Sequence, residues 1–269
     1  MLIGYHVSIA KSIDLAFDRA IKLTCNTFQL FLMNPRSWHA KELGKEEIMR
    51  FRKKNRVFNM PIFAHMPYLP NLASSNKEIY EKSISALNLN IERAKLLNIK
   101  NLILHLGSSV GNDKKDAMER VISALNNIDN NDISLILENE AGFRNSIGSD
   151  IESLIYILDR LESKNKGICL DTCHLFASGY DIRDKKVVKN IIEETSNFLK
   201  VIHLNDAKYN LGSGKDRHEN IGYGYIGIDG FKSFLSFDEI VSKPLILETP
   251  MERSGVKELN LVRSIVAMD

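Results

Sequence analysis

The sequence predicts an α/β fold, a single (β/α)8 TIM barrel. Short apolar runs alternate with amphipathic helical patterns about eight times, at a mean spacing of roughly 33 residues, which is the rhythm of such a barrel. Several runs are apolar at consecutive positions, as in parallel strands that are buried on both faces. No linker, low-complexity stretch or internal repeat divides the chain, so residues 1–269 are predicted to form one domain. A doubly wound open sheet would show the same periodicity and is the structural alternative.

The predicted strands extend from the amino terminus to near the carboxyl terminus. In chain order they are residues 2–5 (LIGY), 27–31 (TFQLF), 61–64 (PIFA), 101–104 (NLIL), 133–137 (ISLIL), 167–170 (GICL), 200–204 (KVIHL) and 244–247 (PLIL). Between them, apolar residues recur at steps of three and four, as in helices that pack one face against a sheet. This pattern is clearest over 84–97 and 151–161, and a Ser-Asp pair just before the second supplies N-capping side chains. The connections over 32–45 and 208–227 are longer than a barrel needs, which is typical of functional loops.

The composition excludes several classes of protein. With 36 Lys and Arg against 34 Asp and Glu, the formal net charge of +2 does not indicate a generally basic nucleic-acid binder. Three cysteines do not make a disulfide framework, which favours a reducing, cytoplasmic location over secretion. The first residues lack the cationic and apolar regions of a signal peptide, and no run approaches the roughly 18 apolar residues of a membrane span.

Histidines and carboxylates stand at the carboxyl ends of six predicted strands. They are His65, His105, Glu138, Asp171, His203 and Glu248. In a barrel all strands end at one mouth, so these side chains are expected to converge although they are far apart in sequence. Crowding them there would raise the free energy through desolvation and repulsion, which divalent cations would offset. Nitrogen and oxygen donors without a thiolate cluster suit Zn²⁺ or Mn²⁺ in a catalytic site, and so many donors indicate more than one ion.

Two tighter motifs add donors to this set. Asp171-Thr-Cys-His174 places a carboxylate and an imidazole three residues apart, where a strand turns into its loop. Asp216-Arg-His218 lies in the loop after the seventh predicted strand, and its i, i+2 spacing lets both side chains face one way in extended backbone. A solvated charged loop is the alternative for the second motif, but the strand-end histidines favour metal binding.

The chain resembles the endonuclease IV family, the family 2 apurinic/apyrimidinic (AP) endonucleases, over essentially its whole length. The segments that carry the resemblance are NPRSW (34–38), HMPYLPNLA (65–73), LENEAG (137–142), GICLDTCH (167–174), HLNDAK (203–208) and DRH (216–218). The resemblance implies three zinc ions at the mouth of the barrel. By this resemblance the first would be held by His65, His105 and Glu138, the second by Glu138, Asp171, His203 and Glu248, and the third by His174, Asp216 and His218. Manganese at one of these positions would use the same ligands.

The resemblance also implies the reaction. The expected activity is hydrolysis of the phosphodiester bond 5′ to abasic sites in double-stranded DNA during base-excision repair, leaving a 3′-hydroxyl and a 5′-deoxyribose phosphate. Glu138 would orient or deprotonate the attacking water, which zinc would acidify. Because such enzymes act on DNA without a partner chain, a monomer is expected.

Two sets of residues are expected to contact the DNA. Arg36, Tyr68 and Leu69 would enter the duplex and fill the space left by the missing base, while Lys208, Lys215 and Arg217 would contact phosphates. The alternative for Tyr68 and Leu69 is ordinary packing within their loop, and the alternative for the cations is a solvated basic loop.

Some positions depart from the pattern of the family without removing an expected ligand. They are Pro70, Leu106, Ser109, Glu140 and Tyr223. Glu140 stands where the family has a threonine and adds a carboxylate near the expected metals. The run Gly222–Gly227 (GYGYIG) matches the letters of a dinucleotide-binding loop, but it follows a long loop instead of a strand, so that interpretation is rejected.

Other residues with possible metal chemistry are given plainer interpretations. Cys169 and Cys173 flank Asp171 and are interpreted as small buried residues of the sixth strand and its turn. His6 ends the first strand and is expected to line the pocket, whereas His39 is interpreted as a loop residue.

Two other functions are compatible with parts of the pattern. A metal-dependent sugar isomerase or epimerase also collects carboxylates and histidines at strand ends, but it would not need His65, His105 and the DRH motif in addition. A non-catalytic DNA-binding protein would leave the full set of ligands without a purpose.

Overall fold

Eight parallel strands form a nearly closed barrel in the computed structural model, which describes residues 1–130, 132–250 and 255–267. The barrel strands are β1 (Ile3–Tyr5), β2 (Phe28–Phe31), β3 (Ile62–His65), β4 (Asn101–Leu104), β5 (Ser134–Glu138), β6 (Lys166–Asp171), β7 (Leu199–His203) and β10 (Leu245–Leu247). Each strand neighbours the next barrel strand in the chain, and β10 pairs with β1. A parallel bridge between His6 and Gln29 joins β1 to β2. The barrel is therefore confirmed, and the alternative of an open doubly wound sheet is wrong.

Helices connect the barrel strands and cover the outside of the barrel. They are α1 (Leu15–Lys22), α2 (Lys45–Phe58), α3 (Lys77–Leu97), α4 (Lys114–Asn126), α5 (Ile151–Arg160), α6 (Thr172–Ser178), α7 (Lys185–Thr195), α8 (Gly227–Leu235), α9 (Asp238–Val241) and α10 (Val256–Val266). A short 3-10 helix lies at Phe143–Asn145. The side chain of Asp150 accepts a hydrogen bond of 2.9 Å from the Ser153 amide, so the predicted cap at the start of α5 is confirmed. Among the described residues, no helix combines the length and the apolar character needed to cross a bilayer.

The interior of the barrel contains a small apolar cluster at the middle of its strands. Its members are Phe63, Ile103, Ile136, Cys169, Val201 and Ile246. Side chains alternate along a strand, so the residue two positions later also points inward, but closer to the mouth. Those later residues are the six strand-end histidines and carboxylates that the sequence singled out. The apolar cluster therefore forms the floor on which the polar side chains rest.

The long connection after β7 contains structure that the sequence did not predict. Strand β8 (Asp206–Ala207) pairs in antiparallel register with β9 (His218–Glu219), so that Ala207 lies opposite His218. Two-residue strands give no periodic apolar signal, because their pairing depends on contacts made elsewhere in the fold. The connection over 32–45 is irregular until α2 begins at Lys45.

Candidate metal centre

Glu138 ends β5 and is fully buried beneath the mouth of the barrel. Its Oε2 atom lies 2.8 Å from Nε2 of His65 and 3.4 Å from Nε2 of His105. Its Oε1 atom lies 2.8 Å from Nδ1 of His203. Burial alone disfavours the charged carboxylate, but these imidazoles outweigh it and hold the pKa of Glu138 well below its usual range. The carboxylate thus lies between the first and second expected groups of ligands.

Nδ1 of His203 also faces two further carboxylates. It lies 3.5 Å from Oε2 of Glu248 and 3.9 Å from Oδ2 of Asp171. Asp171 ends β6, and its other carboxylate oxygen caps α6 by accepting a hydrogen bond of 2.8 Å from the amide of His174. This strand-to-helix turn leaves Oδ2 facing the centre. The four members of the second expected group therefore meet around one imidazole nitrogen.

The third expected group meets around the Asp216 carboxylate. Oδ1 of Asp216 lies 3.3 Å from Nε2 of His174 and 3.4 Å from Nε2 of His218. The same His218 nitrogen is 3.5 Å from Oδ2 of Asp171. Both imidazole nitrogens are buried, and neither has a hydrogen-bond partner in the described part of the chain. Buried polar atoms are nearly always hydrogen-bonded, so two unpaired nitrogens aimed at one carboxylate oxygen fit a shared cation.

Three of the candidate histidines turn one nitrogen toward the centre and hydrogen-bond the other to an oxygen acceptor. A neutral imidazole carries its proton on the nitrogen that meets an acceptor, so the opposite nitrogen presents a lone pair, as metal-ligating histidines do. The outward hydrogen bonds join His65 Nδ1 to Met66 O (2.7 Å), His174 Nδ1 to Asn139 O (2.9 Å) and His203 Nε2 to Gln29 Oε1 (2.7 Å). His105 Nδ1 lies 2.9 Å from Glu140 Oε1 without the geometry of a hydrogen bond.

The donor atoms of the first and third expected groups lie close enough together to share an ion. In each, three donor atoms lie within 4.8 Å of one another; the groups are His65, His105 and Glu138, and His174, Asp216 and His218. Cys169 and Cys173 lie beside the centre but are buried, and burial raises the pKa of each thiol to about 12. Their interpretation as buried residues is confirmed.

Gln29 joins two candidate ligands and was missed by the sequence reasoning. Its Oε1 lies 2.7 Å from Nε2 of His203, and its Nε2 donates to Oε1 of Glu248 over 2.5 Å. His6 contacts the same Glu248 oxygen at 2.9 Å, so it adjoins the centre as expected, whereas His39 is exposed. The available signal for Gln29 was a single polar residue inside the apolar run TFQLF, at an inward-facing strand position.

An open cavity of about 790 Å³ lies above the centre and reaches it at Asp216 and Glu140. Its walls come from the loops after β3, β4, β5 and β7, and they include Tyr68, Leu69, Lys215 and Arg217, four of the residues expected to contact DNA. Arg36 and Lys208 are exposed but do not line this cavity. The walls also include side chains that the sequence reasoning missed, namely Val110, Phe143 and Tyr209.

The departures from the family pattern fall in different places. Pro70 and Glu140 line the cavity, whereas Leu106 and Ser109 are buried and do not line it. Tyr223 is exposed and lies outside the cavity lining. Burial alone would lower the pKa of His105, but the carboxylates of Glu138 and Glu140 outweigh it and raise this pKa to about 9.

The fold and the site first define a class. Residues 17–265 match the family described as xylose isomerase-like TIM barrels. A D-tagatose 3-epimerase-like protein superposes with a TM-score of 0.76 at 20% identity, over 100% of this chain and 98% of that one, which shows the fold alone.

Closer relatives then specify the family. A probable endonuclease 4 of Methanoculleus marisnigri is 44% identical, covering 98% of this chain and 99% of the relative. One of Thermotoga neapolitana is 41% identical, covering 92% of this chain and 90% of the relative. The crystal structure of endonuclease IV from Thermus thermophilus superposes with a TM-score of 0.88 at 29% identity, over all of both chains. The chain belongs to the endonuclease IV family of nucleases.

Replacing Gln29 by methionine tests whether its amide orients the two candidate ligands that it contacts. Methionine has a similar shape but neither hydrogen-bonding group, so His203 and Glu248 lose a shared partner. We expect zinc affinity, measured by competition with a chromogenic chelator, to fall roughly 10–100-fold.

The matched control for this variant is Thr27→Val, because Thr27 is a buried polar residue just before the same strand whose hydroxyl donates to Pro61 O. Zinc affinity should be unchanged in this control. Equal zinc affinities in the wild type, the Gln29 variant and the control would contradict an orienting role for Gln29.

Proposed function

We propose that the chain is a zinc-dependent endonuclease that hydrolyses the phosphodiester bond 5′ to abasic sites in duplex DNA, as a step of base-excision repair. The proposal is carried by one observation: nine imidazole and carboxylate side chains converge beneath an open cavity whose rim holds Lys215 and Arg217. Histidine and carboxylate donors suit zinc, and a basic rim suits a phosphate backbone.

The donor set divides into three places for zinc. Glu138 would bridge the first two, since its two oxygens face His65 and His203 on opposite sides. His174, Asp216 and His218 would hold the third, where two buried imidazole nitrogens have no hydrogen-bond partner among the described residues. When bound, zinc supplies Lewis acidity, which acidifies a water molecule and stabilises a departing oxyanion.

The chain itself would supply the orientation of the attacking water. The Glu138 carboxylate is ionised, because the neighbouring imidazoles outweigh the effect of burial on its pKa. An ionised carboxylate accepts a hydrogen bond and can take up a proton, so Glu138 is suited to align water with the phosphorus and its leaving oxygen. No covalent intermediate on the chain is required.

Lesion recognition would fall to the rim of the cavity. Tyr68 is 57% exposed and Leu69 is 39% exposed, although both are large apolar side chains. The Tyr68 ring centre is 6.1 Å from those of His65 and His105, so the side chain stands directly beside the candidate metal ligands. A duplex opens most cheaply where pairing is already lost, and these two side chains would occupy the space of the missing base.

Phosphate contacts are proposed for three exposed cations of the long loop after β7, namely Lys208, Lys215 and Arg217. Arg36, exposed in the other long loop, would enter the duplex with Tyr68 and Leu69. The Lys215 ammonium lies 4.3 Å from the centre of the Tyr209 ring, which holds it at the cavity wall. An open cavity with cations on its wall suits a polymer backbone better than it suits a free sugar, which an epimerase would enclose.

Cleavage of a duplex that contains one tetrahydrofuran abasic analogue tests the proposed reaction. We expect incision on the 5′ side of the analogue, loss of incision after prolonged chelation, and recovery when zinc is added back. The matched control is the same duplex with an ordinary nucleotide at that position, which should remain intact. Turnover of a ketose or aldose by fully metallated protein, without incision of the lesion duplex, would contradict the proposal.

Replacing Glu138 by glutamine tests the role of its carboxylate in the reaction. Glutamine keeps the shape but removes the proton-accepting charge, so the single-turnover rate should fall roughly 10²–10⁴-fold. Binding of the lesion duplex, measured by fluorescence anisotropy, should change far less.

Zinc content is measured on the same preparations to separate a loss of metal from a loss of the carboxylate. Glu162→Gln serves as the control because Glu162 is exposed outside the site, and this variant should cleave like the wild type. A Glu138→Gln variant with a near wild-type rate would contradict the role.

A further inference from the structure

The glycine-rich segment Gly222–Gly227 wraps around the carboxylate of Asp206. Loops of this composition ordinarily turn their backbone amides toward a bound anion. Here the amides of the loop converge on the side chain of Asp206 in the same protein, and Asp206 is fully buried. The bonds to Asp206 come from the amides of Gly222 (2.9 Å), Gly224 (3.0 Å), Ile226 (2.9 Å) and Gly227 (3.3 Å), and from that of Ala207 (2.8 Å).

The glycines of this segment are required by the wrapping. A Cβ atom on Gly224 would lie 2.4 Å from the carbonyl oxygen of Ala207 and 2.5 Å from Oδ1 of Asp206. Gly222 has a φ of +85°, and a Cβ there would lie 2.4 Å from the side chain of Ile228. The letters that resemble a dinucleotide motif thus reflect close approach of the backbone to Asp206.

The wrapped segment begins shortly after β9, the strand that bears His218. Asp206 begins β8, and Ala207 pairs with His218 across the β8–β9 ladder. The amide of Tyr225 donates to the carbonyl oxygen of Ala207 over 2.8 Å, and that of Lys208 donates to Arg217 over 3.0 Å. Arg217, just before His218, and Tyr225, after it, are therefore both hydrogen-bonded to β8 or to the residue that follows β8.

A second buried carboxylate holds the residues between β9 and the glycine-rich loop. Glu258 accepts 2.7 Å hydrogen bonds from the amide of Ile221 and from the hydroxyl of Thr249, the residue after Glu248. The Asn220 side chain also donates to Glu258 over 3.2 Å. Glu258 thus holds the residues just after β9, and Asp206 holds the glycine-rich loop that follows them.

We propose that Asp206 is a positioning residue for the third group of candidate metal ligands. The backbone amides of Gly222, Gly224, Ile226 and Gly227 form an anion cradle, which the Asp206 carboxylate fills. This contact fixes β9 and thereby places His218 beside Asp216 and Asp171. The metal-binding part of this inference rests on the proposed function, whereas the ordering of the loop by Asp206 does not.

Two variants disrupt the contact between Asp206 and the glycine-rich loop, one by changing the carboxylate and the other by changing the loop. Asp206→Asn keeps the size of the side chain but removes its charge and turns an amide donor toward backbone donors. Gly224→Ala keeps Asp206 but inserts a methyl group where the loop must approach it. Gly44→Ala is the matched control, because Gly44 has an ordinary φ of −66° and open space around its Cβ position.

Two readouts are compared in the zinc-loaded protein: hydrogen exchange by mass spectrometry and zinc per chain after dialysis against a weak chelator. We expect both cradle variants to lose exchange protection over 218–227 while the strands β3 to β6 keep theirs. Zinc content should fall by about one ion per chain, as expected when a supporting contact of one site weakens its affinity roughly 10–100-fold. The Gly44 control should match the wild type in both readouts.

Three outcomes decide the proposal. Wild-type protection and zinc content in both cradle variants would overturn it. Loss of protection throughout the barrel, together with loss of all zinc, would also overturn it, because Asp206 would then support the whole fold. A wild-type protein that binds no zinc and cleaves no lesion duplex would contradict the proposed function, yet loss of protection confined to 218–227 would still support the ordering role of Asp206.

Discussion

The contact of one buried carboxylate with imidazoles from three other strands is the interaction on which the site depends. Glu138 meets His65, His105 and His203 only because the barrel strands are held in register at their carboxyl ends. A register slip of one residue would turn each of these side chains away from the mouth. The apolar cluster below fixes that register, so the packing of the barrel and the chemistry of its mouth share one constraint.

Electrostatics then connects the centre to the cavity above it. The formal net charge is +2, which counts the carboxylates of the site as free negative charges. In the proposed centre those carboxylates would face divalent cations, so the mouth would be far more positive than the whole chain. With Lys215 and Arg217 on the cavity wall, such a mouth would attract a phosphate backbone without a basic overall composition.

Much of this arrangement was predictable because it depends on periodicity. Each predicted strand is found within one residue of its predicted ends, and the strand-end residues converge as a barrel requires. The β8–β9 pair was not predictable, because each of its strands has two residues and gives no periodic apolar pattern. The role of Gln29 was missed because a lone polar residue in an apolar run does not reveal which residues it contacts. Likewise, Phe143 and Tyr209 reach the cavity through loop paths that composition does not determine.

Diffraction data collected at the zinc absorption edge on crystals of the zinc-loaded protein would test the central claim most directly. The account predicts three anomalous peaks at the mouth of the barrel. One of them should lie roughly 2.0–2.1 Å from Nε2 of both His174 and His218, the usual distance for zinc and imidazole nitrogen. A mouth without anomalous peaks, with those two nitrogens hydrogen-bonded to water, would contradict it.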